Sequence, residues 1–147
     1  MSAPYPAGGP PSGAPGGKTT LGLESNVGAM LCYIGNFLCC LGLVLAIVFL
    51  ITEKENRFVK FHAFQSLFLA LAQIAVGIVL SILTMILVMV LNQIDFGLLA
   101  VFLMWGLRLL VFGIFIVIWI VTGVKAYGGQ WNKLPFIGEF AWNIVNK

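Results

Sequence analysis

Charge is what this sequence has least of. Lys, Arg, Asp and Glu make up 9% of the 147 residues, against about a quarter in a soluble globular domain, so a soluble core cannot account for the chain. The net charge of +3 is small and scattered, which argues against a nucleic-acid surface. His62 is the single histidine. The three cysteines, Cys32, Cys39 and Cys40, lie in one apolar run without C-x-x-C spacing, which argues against a disulfide framework or a zinc site and leaves them as small hydrophobes. There is no Ser/His/Asp arrangement, phosphate-cradling Gly loop, metal cluster or paired acid in a pocket. The chain therefore reads as no enzyme, with no catalytic residue, cofactor or metal.

What the chain has in abundance is hydrocarbon: it is 61% hydrophobic with a mean hydropathy of +1.05. Long apolar runs read as transmembrane helices, because lipid offers no partners to backbone N–H and C=O and a helix satisfies them internally. The expected fold is an all-α membrane protein. Residues 1–20 hold five of the six prolines and the single charge Lys18, and read as a disordered Pro/Gly-rich tail without the features of a signal peptide. Residues 21–147 form one polytopic domain, with three transmembrane helices over about 27–51, 61–91 and 98–124 and a C-terminal interfacial amphipathic helix over about 136–146. The second run is 31 residues long; as a straight helix it would measure about 46 Å against a hydrocarbon core of about 30 Å, so its first turns belong in the interface.

Small residues predict how the helices pack. In the first span Gly28, Cys32, Gly35, Cys39 and Gly42 recur at alternating steps of four and three, a seam that lets a second helix come close. In the second span His62, Ser66, Ala70, Gln73, Gly77, Ser81 and Thr84 form one polar, small stripe. The two stripes are expected to mate as a tight hairpin of helices 1 and 2, with Asn36 bonding across it. Arg108 is the costly residue of the third span, at about 2.5–3.5 kcal/mol for a central Arg. It is open to two readings: snorkelling outward past Trp105 toward Asp95, or a polar cavity or inter-subunit contact.

With three spans, Lys54, Arg57, Lys60, Lys125, Lys133 and Lys147 share one side. The positive-inside rule then puts the N-terminus out and the C-terminus in. The Arg57–Ser66 corner and the tail from Lys125 to Glu139 are expected to form one cytoplasmic-side surface.

Asn56-Arg57-Phe58-Val59-Lys60-Phe61-His62-Ala63-Phe64-Gln65-Ser66 crowds cations, a titratable ring, an amide and a hydroxyl into one stretch. It resembles the Arg-Phe-His-Ala-x-Gln-Ser signature of a large group of small bacterial and archaeal membrane proteins. That group is related to the twenty-kilodalton Tic component of protein import at the chloroplast inner envelope. Leu134, Pro135 and Gly138 resemble its closing Leu-Pro-x-x-Gly, and Asn26, Ala29, Leu31, Cys32 and Tyr33 its opening; Lys60 stands where many members carry Arg. The resemblance implies an integral protein of a prokaryotic cytoplasmic membrane, with protein import implied for the plastid branch.

From the residues themselves, Arg57 and Lys60 are candidates for lipid phosphates or a partner's acidic groups. Phe58, Phe61 and Phe64 would be anchored in the acyl boundary, and His62 would be a hydrogen-bonding residue or a proton-handling one. Expected partners are the bilayer with anionic headgroups, and other membrane proteins or a second copy. The preferred function is an interaction or accessory subunit of a membrane complex; the alternative is an oligomeric channel, transporter or translocation component.

Overall fold

The computed structural model describes residues 17–37 and 41–146. All its regular elements are helices: α1 (Ser25–Ile34), α2 (Leu41–Thr52), α3 (Arg57–Leu91), α4 (Gly97–Tyr127) and α5 (Ile137–Val145), with 3₁₀ turns at Gly35–Phe37 and Asn92–Ile94. The proline-rich tail expected over residues 1–20 lies outside the described residues apart from its last four, and so do Cys39, Cys40 and Lys147.

α3 and α4 are long enough and apolar enough to cross a bilayer. They contain the expected second and third spans. α3 begins earlier than the apolar run, at Arg57, because Asn56 caps it: the Asn56 Oδ1 accepts the Val59 N–H at 3.2 Å, satisfying one of the free donors of the first turn.

The expected first span over 27–51 is not one helix. It breaks at Gly35 and folds back on itself, so that Gly28 of α1 lies against the Phe49 ring of α2 and Gly35 lies against Gly42. A Cβ placed on Gly35 would sit 2.8 Å from the Gly42 Cα, a backbone approach only glycine permits. The small-residue seam was expected to receive the second span; Gly28, Gly35 and Gly42 instead close the fold-back of α1 on α2, while Cys32 and Asn36 do meet the second span, at Ser66. At about 15 Å and 18 Å, neither α1 nor α2 alone matches a hydrocarbon core of about 30 Å.

The two ends of this fold-back are tied together by one carboxylate. Glu53 is 3% exposed and accepts Thr20 N–H at 2.9 Å, Thr20 Oγ1–H at 3.1 Å and Asn56 N–H at 3.3 Å. The charge is thus stabilised by donors from both sides of the hairpin.

Contacts divide the chain into two units. The first takes in the described residues up to Leu69 together with Trp119 onward; the second is Ala70–Ile118. The first unit has a well-filled core of Tyr33, Phe49, Phe58, Phe61 and His62, all at most 1% exposed. The second is the outer part of α3 and α4 joined by a tight turn with Asp95 at φ 59°. Its surface is apolar nearly all round, with Ile78, Met85, Leu98, Phe102 and Leu109 more than half exposed, the pattern of a helix pair that faces hydrocarbon.

Gly35→Val should lower stability by about 1–3 kcal/mol by forcing α1 off α2. Gly113→Ala, where a Cβ meets nothing within 4 Å, should be neutral or up to about 1 kcal/mol stabilising. Thermal unfolding of the purified chain in detergent reads both, and an unchanged midpoint for Gly35→Val would rule out the close α1–α2 approach.

Candidate functional site

The site lies in the first unit, where the start of α3 meets α1 and the segment after α4. Its centre is the side chain of Gln65, fully buried. The Gln65 Oε1 accepts the Leu134 N–H at 3.2 Å, and Nε2 donates to the Asn132 carbonyl at 3.0 Å and to the Tyr33 hydroxyl at 3.0 Å. A backbone N–H can only donate and a backbone C=O can only accept, so these two partners fix which way the amide points.

The same amide joins His62 to the cluster through Tyr33. Tyr33 Oη accepts from Gln65 and pairs with His62 Nδ1 at 3.0 Å, the direction of that bond following the imidazole tautomer. His62 Nε2 is buried without a close partner, with the Gln130 backbone carbonyl acting on the ring. One turn deeper, Ser66 Oγ donates to the Cys32 carbonyl at 2.6 Å, and Asn36 Nδ2 donates to Ser66 Oγ at 3.2 Å and to Cys32 O at 3.4 Å.

Aromatic rings wall the cluster in. Phe58, Phe61 and Tyr33 stand edge-on to His62 with centroids at 4.6, 5.0 and 5.7 Å. Trp131 packs on Phe58 at 5.1 Å and on Phe61 at 5.4 Å. Trp142 of α5 completes the wall at 5.3 Å from Trp131, and its outer face carries the Lys133 ammonium at 3.9 Å.

The segment that Gln65 holds has an unusual backbone. Ile137 N–H bonds back to the Pro135 carbonyl at 2.8 Å across Phe136, whose φ and ψ are 64° and −60°. This is a γ-turn of the rare, strained hand, and it throws the Phe136 side chain outward, 90% exposed. Gly138 follows because nothing larger fits: a Cβ there would sit 2.7 Å from Gln65 Oε1 and 2.7 Å from Lys133 Cα.

Of the expected corner, the structure shows the start of α3 and the segment after α4 bonded together, through Gln65 to Asn132 and Leu134. Several expected roles are different. Phe58 and Phe61 are 0% exposed and pack on Trp131, so they are not acyl-boundary anchors; Phe64, stacked on Phe68 at 6.2 Å, is the half-buried one. His62 and Ala63 are buried; His62 is a hydrogen-bonding residue, as one of its two readings had it, paired with Tyr33, while Gln65 bonds the backbone of Asn132 and Leu134. Lys60 is half-buried, with Nζ on the Lys54 carbonyl at 3.2 Å, whereas Arg57 is exposed. In the second unit Gln73, Gly77, Ser81 and Arg108 line a groove between α3 and α4. A Cβ on Gly77 meets nothing within 4 Å. Sequence reasoning left Tyr33, Glu53 and Asn132 outside the site. The signal for Tyr33 was present, a hydroxyl in an otherwise apolar helix that must find a partner when buried.

Residues 24–141 match the magnetosome magnetite crystal formation protein family, a stretch that runs from the start of α1 into α5. A UPF0132 membrane protein of Methanocaldococcus jannaschii is 38% identical over 125 residues, covering 85% of this chain and 92% of the relative. A UPF0132 membrane protein of Archaeoglobus fulgidus is 33% identical over 119 residues, covering 81% and 93%. No solved structure matches.

Gln65→Leu should leave the Leu134 N–H and the Asn132 carbonyl without partners, at about 1–3 kcal/mol for each group that stays sealed from water. The segment around Lys133 should then open, and trypsin should cut after Lys133 faster than in the wild type. Gln73→Leu, in the second unit, should leave that rate unchanged; equal rates for Gln65→Leu and wild type would remove Gln65 from the role given to it.

Proposed function

The chain belongs to the magnetosome magnetite crystal formation protein family, whose relatives are named membrane proteins, and from that premise we propose that it is an interaction or accessory subunit of a membrane complex. One observation carries the reading: the polar atoms of the signature stretch are spent on one another and on the backbone of 132–134. A set of groups so engaged builds a platform, and offers no nucleophile–base pair facing a cleft. Contact with other molecules then falls to what the platform turns outward: Lys54, Arg57, Lys133, Phe136 and Phe140, all exposed.

In this reading α3 and α4 cross the membrane and α1–α2 dips into it from one face and returns. Glu53 supports the last point, because it holds the entry strand at Thr20 to the exit at Asn56. Both chain ends then share one face, in place of the N-out, C-in arrangement that three spans require. Every Lys and Arg except Arg108 falls on that face, and the opposite turn carries Asp95, the distribution the positive-inside rule assigns to the cytoplasm. α5 lies at the interface, with Phe136 and Phe140 entering the acyl boundary.

The family's description names magnetite crystal formation. That description belongs to the family, and the reading rests instead on the engaged polar cluster around Gln65. The Tic resemblance rests on the motifs alone and supports a translocation role only as part of the alternative reading. A specific observation favours that alternative, a polar groove around Arg108 in the second unit; as a channel or transporter the chain would conduct solute in proteoliposomes.

Two measurements test the proposal. With Lys18→Cys and Gln130→Cys introduced singly, a membrane-impermeant maleimide should reach both from the same side of sealed vesicles; labelling from opposite sides would refute the returning hairpin. On native gels of mildly solubilised membranes, the Lys54→Glu/Arg57→Glu double variant should shift from a large assembly to the free chain with its thermal midpoint unchanged. Wild type that migrates only as the free chain would end the subunit reading.

A further inference from the structure

Arg108 carries a charge that this chain does not neutralise. It lies eleven residues into α4, about 16 Å along the helix from the turn and so near the middle of a hydrocarbon core of about 30 Å. Its Nη2 donates to Ser81 Oγ at 2.9 Å and Thr84 Oγ1 at 3.4 Å on α3. Both hydroxyls spend their own protons on helix carbonyls, Ser81 on Gly77 at 2.8 Å and Thr84 on Leu80 at 2.6 Å. They are neutral acceptors and leave the positive charge whole. The guanidinium Nε is buried without a partner. The acids of the sequence are Glu24, Glu53, Glu55, Asp95 and Glu139; only Asp95 belongs to the same unit, and it sits in the turn, about 20 Å from Arg108 by helix rise. A side chain bonded to α3 is not snorkelling to a surface.

The space beside Arg108 has the shape for a helix. A groove of about 580 Å³ runs between α3 and α4, lined by Gln73, Gly77, Ser81, Trp105, Arg108 and Phe112 among others. Gly77 and Ser81 are four apart on its floor, and a Cβ on Gly77 would meet nothing. This is a small-x-x-x-small step left open, the feature by which one membrane helix admits another.

We propose that this groove receives a transmembrane helix of another protein that bears an Asp or Glu at the depth of Arg108. Charge complementarity chooses the occupant. A second copy of this chain packed through the same groove would bring a second Arg108 and no carboxylate. A lipid phosphate belongs at the headgroups, about half the core thickness away. The proposal rests on α3 and α4 crossing the membrane, and goes beyond the interaction role by naming where inside the membrane the partner sits and what it carries.

The test uses the full chain in phosphatidylcholine vesicles, with α3–α4 insertion first checked by protease protection. Three dansyl-labelled Leu/Ala transmembrane peptides are added, identical except for Glu, Gln or Leu at the central position. Energy transfer from the chain's tryptophans, Trp105 among them, reads association. The Glu peptide should associate about ten-fold more tightly than the Leu peptide, the scale of a good interhelical polar contact. Arg108→Leu should abolish that preference, and Arg108→Glu should shift it to a Lys-centred peptide. Equal association of the Glu and Leu peptides, or a preference that survives Arg108→Leu, would overturn the proposal. Arg108-dependent dimers of the chain alone, or displacement of the Glu peptide by oleate, would also overturn it, by assigning the groove to a second copy or to a fatty acid. A chain that inserts but shows no preference sinks this proposal alone; a chain whose hairpin is digested sinks the membrane-crossing reading as well.

Discussion

The amide of Gln65 sits where three stretches of chain, distant in sequence, have to agree. Its oxygen and nitrogen bond the backbone of Leu134 and Asn132, and the same nitrogen bonds Tyr33. Those backbone groups are in an irregular segment, with no helix to satisfy them, and a buried orphan N–H or C=O costs about 1–3 kcal/mol. One side chain thus replaces the hydrogen bonds that secondary structure would have made. Much else follows from it. Gly138 has to be glycine because the amide oxygen and the Lys133 backbone together occupy its Cβ space, and His62 is joined to the amide through Tyr33.

The two units solve the problem of polar atoms in apolar surroundings in different ways. Around Gln65 and His62, nearly every donor has found an acceptor within the chain, and aromatic edges exclude water from the result. Around Arg108 the donors outnumber the acceptors, and the groove is left open. The first arrangement is what fold specification demands; the second leaves a buried guanidinium nitrogen without a partner.

The long apolar helices were legible because length and hydropathy suffice for them, and the joining of the Arg57–Ser66 corner to the Leu134–Gly138 stretch followed from topology. The first apolar run was misjudged as a single span because its length fits a bilayer and its small residues recur with helical spacing. The sequence does hold the contrary sign, a Gly35-Asn36 pair with turn character, but hydropathy outweighs two residues in any such reading. The burial of Phe58 and Phe61 was illegible for another reason. Aromatic residues beside cations look alike whether they face lipid or Trp131, and only the path of the chain after Tyr127 decides between them. Glu53 was hidden among Lys54, Glu55 and Arg57, where one buried carboxylate cannot be told from its solvated neighbours.

The bonds that Gln65 makes to Asn132 and Leu134 span 67 and 69 residues of chain. Such contacts form late, because loop closure must precede any gain from them. During synthesis Gln65, Tyr33 and His62 emerge long before the backbone that will satisfy them, and the segment carrying it comes only after α4 has been made. The newly made chain therefore passes through a stage in which both long helices exist while their polar cluster is still open to water or to a chaperone. Its closure therefore waits on the residues that follow α4 in the chain.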